Sequence, residues 1–273
     1  MDLKQIAWGA GILLALALVF GIWASYTTPA KVETPQQQAL AGTLQPNGDY
    51  KYSESTEIYT IEASWPEKVP LATAEASAKA RFAIEQGLSD EINRFKADSN
   101  FAGMTQADIE MMGIGGDRKY ALALEYKDYD APGYHSYAYT VYADTLGAHP
   151  NGYFKTFVFD VEGNRVMLAD LFDPSVNWLE ELSLLVSNDV TAQMKARLGE
   201  SLPQGDEGPD LTGAIFPEGL SPSEENFQNF VIDGDALVIL IPPYQVAAYA
   251  AGSFEVRIPF ADIASNLKVG VMR

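Results

Sequence analysis

The segment from Ile6 to Ala24 constrains the fold of this chain most, because it contains no charged residue. At about 1.5 Å per residue, a helix of this length approaches the roughly 30 Å hydrocarbon core of a bilayer. Trp8 and Trp23 lie near its two ends, where interfacial aromatic rings are common. The pattern predicts one transmembrane helix over residues 6–24.

A signal peptide is the alternative interpretation of the same segment. Ala24 and Ser25 offer small side chains to a peptidase, but the apolar region of a signal peptide is usually only about 7–15 residues long. We therefore favour a retained membrane anchor, or an uncleaved signal, over residues 1–25. Lys4 on the short side predicts that the bulk of the chain lies outside the cytoplasm.

Composition excludes several classes of function. The formal net charge of -19 argues against a nucleic-acid partner, because phosphates would be repelled. The chain has no cysteine, which excludes disulfides, thiolate chemistry and cysteine-based metal sites. Its two histidines, His135 and His149, are too few for a three-histidine zinc site, and Gly113–Gly116 lacks the lysine of a phosphate loop. We predict neither a metal nor a cofactor.

The remaining chain divides into three predicted regions. Residues 26–55 are rich in Thr, Pro and Gln and predict a flexible linker. Residues 56–117 predict a small strand–helix domain, and residues 118–273 predict a larger α+β domain. We expect a mainly antiparallel sheet with two long helices packed against it.

Periodicity predicts the positions of the two long helices. The first is expected at about residues 73–97, with its buried face at every third or fourth position. The second is expected to start at Asp173-Pro174, a good N-cap followed by proline, and to stop near Gly199. The apolar residues of its predicted buried face are Leu179, Leu182, Val186, Val190, Met194 and Leu198.

The C-terminal stretch predicts a β-hairpin and a tyrosine-bearing loop. Residues 229–241 alternate and then become strongly apolar, with a turn at Asp233-Gly234-Asp235. A second alternating strand follows at residues 253–259. The loop between the last two strands is either a core plug or a recognition surface, and tyrosine favours recognition. The residues of this loop that we predict to bind a ligand are Pro242, Pro243, Tyr244 and Tyr249.

His149 is the second feature of functional interest. It lies in a glycine-rich connection between two predicted strands, where it either fixes the loop through a backbone hydrogen bond or points outward for recognition. We include it among the predicted binding residues. A hydrolase or deacetylase accessory that uses His149 with Asp160 or Asp170 as acid and base is the alternative. Turn and capping roles explain these carboxylates more simply.

Several segments resemble the RsiV-like family of extracytoplasmic domains of unknown function, which also accompanies the deacetylase module of PdaC-type peptidoglycan deacetylases. The resemblance rests on LGAHPN at residues 146–151, FKTFVFD at 154–160, LADLF at 168–172, PYQVA at 243–247, YAAG at 249–252 and VRIP at 256–259. Residues 59–101 are similar to the small strand–helix domain that commonly precedes this family.

The resemblance implies a non-catalytic binding or sensing protein of the bacterial envelope. It would be a single-pass protein of the cytoplasmic membrane, facing the periplasm or the exterior, with a basic lysozyme-like protein or peptidoglycan as its ligand. Two differences from the family limit how much of its function can be inferred for this chain. Leu146 stands where the family often has glycine, and the few residues before Ile6 do not suffice for an anti-sigma segment.

Overall fold

The structure, a computed structural model, describes residues 40–271 except 199–203, 206–207, 210 and 212. The predicted anchor at residues 1–25 and the first part of the predicted linker lie outside the described residues. Within the described part, no helix is both long and apolar enough to cross a bilayer. Residues 39–273 form one compact unit.

The described part of this unit contains eleven strands and four α-helices. The strands are β1 (Thr43–Leu44), β2 (Asp49–Ser55), β3 (Tyr59–Pro66), β4 (Tyr120–Ala131), β5 (Tyr134–Asp144), β6 (Asn151–Asp160), β7 (Gln204–Gly205), β8 (Gly208–Pro209), β9 (Phe230–Asp233), β10 (Ala236–Ile241) and β11 (Phe254–Pro259). The helices are α1 (Ala74–Asp98), α2 (Gln106–Met112), α3 (Trp178–Leu198) and α4 (Glu224–Phe227).

The first sheet has the order β1-β2-β3-β4-β5-β6. All of its neighbouring strands are antiparallel except β3 and β4, which are parallel. The physical reason is that α1 connects β3 to β4 in the chain. It carries the chain back to the end of the sheet at which β3 begins, so that β4 runs parallel to β3. The α+β class is confirmed, and the first sheet is mixed, with four antiparallel pairs and one parallel pair of strands.

This sheet runs across the predicted boundary at residue 117, because β3 pairs directly with β4. It also contains β2, which lies within the predicted linker at residues 26–55. Tyr50 and Tyr52 of β2 pack against the core beneath the sheet, which explains why an otherwise polar segment becomes a strand.

Helix α1 packs on one face of the first sheet. Thr73 caps it, since its side chain accepts a hydrogen bond from Ala76 N at 3.1 Å. The predicted apolar face is confirmed, because every member is buried: Ile84, Leu88, Ile92 and Phe95.

The second sheet has the order β11-β10-β9 and packs against α3. The hairpin turn at Gly234-Asp235 is confirmed, since Ala236 pairs with Asp233. Strand β10 is buried on both faces, which explains its continuous apolar run: Leu237, Ile239 and Ile241 belong to the core with α3, whereas Val238 and Leu240 pack on the outer face of the first sheet.

Helix α3 begins later than predicted. Asp173 instead caps a turn, where its Oδ1 accepts a hydrogen bond from Ser175 N at 2.8 Å, and the first helical residue is Trp178. The predicted face is otherwise buried at Leu182, Val186, Val190 and Met194, and Leu179 is partly buried. The side chain of Leu198 lies outside the described residues.

Candidate functional site

The first loop of the candidate site, residues 145–150, connects β5 to β6 and carries His149. Its backbone turns at Leu146, whose φ of 60° lies in the left-handed region that favours glycine. Asp144 supports the turn, because its Oδ1 accepts a hydrogen bond from Leu146 N at 2.8 Å. The leucine side chain packs against the core under the first sheet, which offsets the backbone strain.

The second loop, residues 242–253, connects β10 to β11. Tyr244 has a φ of 72°, another left-handed backbone at a residue with a bulky side chain. The loop then forms a 3-10 turn at Tyr249–Ala251 and ends at Gly252, whose φ is 74°. Backbone strain of this kind costs on the order of 1–3 kcal/mol and is concentrated at functional sites. Both loops of the candidate site carry it.

The two loops meet through three aromatic rings, which we call the aromatic cluster: His149, Tyr244 and Tyr249. The His149 ring stacks on Tyr249 with a centroid distance of 4.0 Å and an interplanar angle of 19°. Tyr244 lies 5.6 Å from His149 and 5.3 Å from Tyr249. Sequence analysis selected all three as binding residues, and the structure brings them together.

Hydrogen bonds fix the protonation pattern of the His149 ring. Its Nδ1 lies 3.0 Å from Pro150 O, and its Nε2 lies 2.6 Å from the Tyr244 hydroxyl. A carbonyl oxygen can only accept, so the Nδ1 atom of neutral His149 carries the proton. Nε2 is then the acceptor for the Tyr244 O–H.

The second loop divides into a buried part and an exposed part. Val246 and Ala247 are 1% and 2% exposed, and both belong to the core with α3. Tyr244 and Tyr249, which flank them, are 51% and 37% exposed. The centre of the loop is therefore a core plug, and the two tyrosines that flank it are exposed at the surface.

Gln245 anchors the buried part of the loop. Its Nε2 donates to Gly219 O at 3.0 Å and to Asn226 O at 2.9 Å. Beside it, Phe216 N donates to Val246 O at 2.8 Å. Gly219 is packed so closely that a Cβ atom there would lie 1.9 Å from the Gln245 carbonyl oxygen. The segment that precedes β9 thus holds the second loop in position directly beneath Tyr244.

Arg197, in the last turn of α3, holds the far side of the same loop. Its Nη1 donates to Ala251 O at 2.9 Å and to Ser253 O at 2.8 Å. The guanidinium also lies over the Phe254 ring, 4.2 Å from its centroid. Arg197 therefore positions the turn that carries Tyr249.

Pro242 and Pro243, the other predicted binding residues, are half-buried and lead directly into Tyr244. Pro242 O accepts a hydrogen bond from Gln245 N at 3.4 Å, which closes the turn around Tyr244. The described contacts of the aromatic cluster do not include either proline ring. Their role in the geometry is to restrict the backbone before the tyrosine.

A groove of about 470 Å³ lies next to the second loop. Its lining includes Ser253 and Phe254 from the end of that loop, and Phe154 from β6. The charged side chains of its walls are mixed in sign: Glu125, Lys127, Arg197 and Glu255.

The structure does not form the catalytic pair proposed for a hydrolase. Asp160 ends β6, whereas His149 precedes its first residue, so the two are separated by about 30 Å at roughly 3.3 Å per residue. Asp160 Oδ1 instead accepts hydrogen bonds from Glu162 N and Asn164 N in the turn after β6. Asp170 accepts from Met167 N at 2.9 Å in the next 3-10 turn. Both carboxylates have the turn and capping roles that explain them most simply.

Within the residues that the structure describes, no group of three or more His, Asp or Glu side chains is placed to hold a metal ion. His149 has no ion pair with a described carboxylate, whereas His135 lies 3.4 Å from Asp130 and 3.6 Å from Asp128. The two histidines therefore differ in environment: one is buried between carboxylates, and the other is held by tyrosines at the surface.

Comparison with known proteins bears on the C-terminal half of the chain. Residues 169–261 match the model of a family described as a protein of unknown function, DUF3298. This stretch contains α3, the second sheet and the second loop of the candidate site. Residues 169–261 are similar to the DUF3298 domain. No functionally curated protein matches the chain.

Two solved structures of DUF3298 family proteins are similar to this chain. A member of the family from Bacteroides fragilis has a TM-score of 0.54 and 18% identity, and the match covers 85% of this chain and 96% of that one. A DUF3298 family protein from Pseudomonas aeruginosa has a TM-score of 0.46 and 13% identity, covering 85% of this chain and 98% of that one. At this level of identity, the match with the Bacteroides protein shows a shared fold only.

Sequence analysis missed the residues that hold the aromatic cluster in place. Gln245 and Arg197 donate hydrogen bonds to backbone carbonyl groups, so neither a charged partner nor a sequence motif indicated their role. Gly219 lies in a stretch of the sequence rich in Pro, Gly and acidic residues, where a glycine carries little information. The inclusion of Gln245 in the PYQVA segment was the one available signal.

Proposed function

We propose that this protein is a membrane-anchored extracytoplasmic binding or sensing protein of the bacterial cell envelope, and that it acts without catalysis. The aromatic cluster carries the proposal. Two tyrosine rings are exposed on a loop whose centre is buried and hydrogen-bonded, and Tyr244 of that loop and Leu146 of the first loop have left-handed backbone conformations. Rigid exposed aromatic side chains are favoured at recognition surfaces, because they offer a large contact area at low entropic cost.

A basic lysozyme-like protein is the ligand that we favour, and peptidoglycan is the second candidate. The net charge of -19 would attract a basic protein over distances comparable with the Debye length, about 10 Å at 0.1 M salt. The resemblance of residues 146–160 and 243–259 to RsiV-like domains supports the same ligand class. The His149 loop and the second loop would form the contact surface.

Residues 6–24 would tether this surface to the cytoplasmic membrane, with the linker and the folded unit on the extracytoplasmic side. The uncharged segment and Lys4 support this topology. A protein held in this way would meet soluble muramidases and cell-wall fragments as they reach the membrane.

A binding experiment tests the proposal. The purified full chain, in detergent micelles, is titrated with a basic muramidase and separately with peptidoglycan fragments at 20 mM and 200 mM salt. We expect binding of the muramidase that weakens as the salt concentration rises. Absence of binding of both ligands at low salt would reject the proposal.

Matched variants then test the contact surface. Tyr249→Ala removes an exposed ring from the cluster, and we expect a loss of affinity of at least about tenfold. Phe82→Ala removes a ring that is 55% exposed on α1, outside the cluster, and should leave the affinity unchanged. Equal affinity of both variants would show that ligand binds elsewhere.

A further inference from the structure

We infer that the hydrogen bond between His149 and Tyr244 makes the aromatic cluster prefer a lysine or arginine side chain of the partner. Protonation of His149 reverses this preference. The inference deepens the proposed function, because it names the chemical group that the same site would take. It also supplies a release mechanism in acid. The steps rest on the proton positions, on the charges near His149 and on the exposure of Tyr244.

The first step concerns the neutral state of the site. His149 Nδ1–H donates to Pro150 O, and Tyr244 O–H donates to Nε2. The single hydroxyl proton of Tyr244 is therefore engaged inside the cluster, and only its lone pairs are available to a partner. A hydroxyl that donates to one neighbour becomes a better acceptor for another. The exposed Tyr244 oxygen thus selects groups that donate hydrogen bonds, such as ammonium or guanidinium.

The second step concerns the protonated state. Both nitrogen atoms of protonated histidine are donors, so Nε2–H must donate to the Tyr244 oxygen. The tyrosine hydroxyl proton then turns away from the cluster and needs an acceptor. A positive charge also appears 2.6 Å from that oxygen. Both changes disfavour a cationic partner group and favour an acceptor such as a carboxylate.

The third step concerns the charged groups that could neutralise this positive charge. The groups in contact with the His149 ring are Tyr244 and Tyr249 of the second loop. Asp144, the last residue of β5 before the loop that carries His149, accepts a hydrogen bond from Leu146 N. None of the described carboxylates forms an ion pair with His149, in contrast to the two that flank His135. Protonation of His149 would therefore be felt by a partner, whereas that of His135 would be compensated locally.

The proton positions can be measured without a partner. Long-range ¹H–¹⁵N spectra of the full chain in micelles distinguish the two neutral tautomers of histidine. With two histidines in the chain, comparison with His149→Gln assigns every signal. We expect the Nδ1–H tautomer at pH 8. A dominant Nε2–H tautomer would overturn the inference.

The partner chemistry is tested with small probes. N-acetyl-arginine amide and N-acetyl-glutamate are titrated separately into the full chain, with Tyr244 side-chain signals as the readout. Both titrations are carried out at pH 7.5 and at pH 5.5, within the range of about pH 5 to 8 over which histidine serves as a switch in proteins. We expect the arginine probe to bind about tenfold more weakly at pH 5.5, and the glutamate probe to bind more strongly.

Variants separate the titration from the contact. His149→Gln cannot become charged, but its amide oxygen can still accept from Tyr244, so its affinity for the arginine probe should not change with pH. Tyr244→Phe should bind the probe about tenfold more weakly at pH 7.5. Tyr134→Phe is the matched control, because Tyr134 begins β5 at the end opposite the cluster, and it should behave as wild type. Equal probe binding at both pH values by the wild-type chain would overturn the inference.

The inference and the proposed function fail in different ways. A muramidase that binds through Tyr249 with equal affinity at both pH values would uphold the proposed function and overturn the inference. Absence of muramidase and peptidoglycan binding, together with the expected probe behaviour, would reject the proposed ligands and uphold the inference.

Discussion

Replacement of Gly219 by alanine should disrupt the packing of the segment that supports the aromatic cluster, without changing the three rings themselves. A Cβ atom at this position would lie 1.9 Å from Gln245 O and 2.7 Å from the Gln245 carbonyl carbon. Both are backbone atoms, so rotation of a side chain cannot relieve the clash. The loop and the segment before β9 must separate by about 1 Å or more to reach an ordinary contact distance.

The structure indicates what this separation costs. Two hydrogen bonds join the segments at this point, from Gln245 Nε2 to Gly219 O and from Phe216 N to Val246 O. Loss of each costs about 1 kcal/mol, and more where a buried group stays unsatisfied. Restriction of the unfolded chain by alanine returns about 0.4–1 kcal/mol. We expect a net destabilisation of about 2 kcal/mol, in the range known for overpacked cores.

Urea unfolding followed by tryptophan fluorescence measures this difference, since Trp65 is buried in the core. Gly152→Ala is the matched control, because no atom lies within 4 Å of a Cβ at that position. The control should be neutral or slightly stabilised. Equal stability of the two variants would refute the close approach of Gly219 to the loop. Ligand affinity should fall with Gly219→Ala and not with the control.

Three further predictions concern backbone strain, loop support and pH. Tyr244→Gly should be about 1 kcal/mol more stable than Tyr244→Ala in urea unfolding, because a φ of 72° penalises alanine. Arg197→Met should speed hydrogen exchange of the Gly252 amide, because the turn at 249–251 loses its two donated hydrogen bonds. Burial would raise the pKa of Glu54, but hydrogen bonds from Lys96, Tyr52 and Tyr59 prevail and lower it to about 2. Its stabilisation is therefore present above about pH 4.5 and lost as the pH falls to about 2, and Glu54→Gln should remove this component from acid unfolding curves.

Each of these predictions has a contradicting result. Equal stability of the glycine and alanine variants at position 244 would show that the backbone there is not left-handed. Unchanged exchange of the Gly252 amide in Arg197→Met would show that the guanidinium does not hold the turn. Parallel pH curves for wild type and Glu54→Gln would show that Lys96 does not stabilise this carboxylate.

The local sequence pattern was sufficient to predict most of the secondary structure. The burial of α1 follows from apolar residues at helical spacing, and the hairpin of β9 and β10 follows from its turn residues. Pattern was insufficient where long-range pairing decides the outcome. The parallel pairing of β3 with β4 depends on the crossover of α1, and the late start of α3 depends on the hydrogen bonds of Asp173 within a turn.

The candidate site shows the same division. The loop context of His149, Tyr244 and Tyr249 in the sequence led to the prediction that they bind a ligand, and the family resemblance covers the segments of all three. It did not identify the residues that position them, because Gln245 and Arg197 bind backbone carbonyl groups of segments distant in sequence. Interactions with backbone atoms leave no pattern of complementary side chains.

By itself, the sequence determined an uncharged segment long enough to cross a membrane, an α+β fold and two loops that carry His149, Tyr244 and Tyr249. Only the tertiary structure decided that these loops meet, since His149 and Tyr244 are 95 positions apart. The physical reason is the packing of β10 on the first sheet, where Val238 and Leu240 contact the Ala138 side of β5. That packing brings the end of β10 to the start of β6 and so assembles the aromatic cluster.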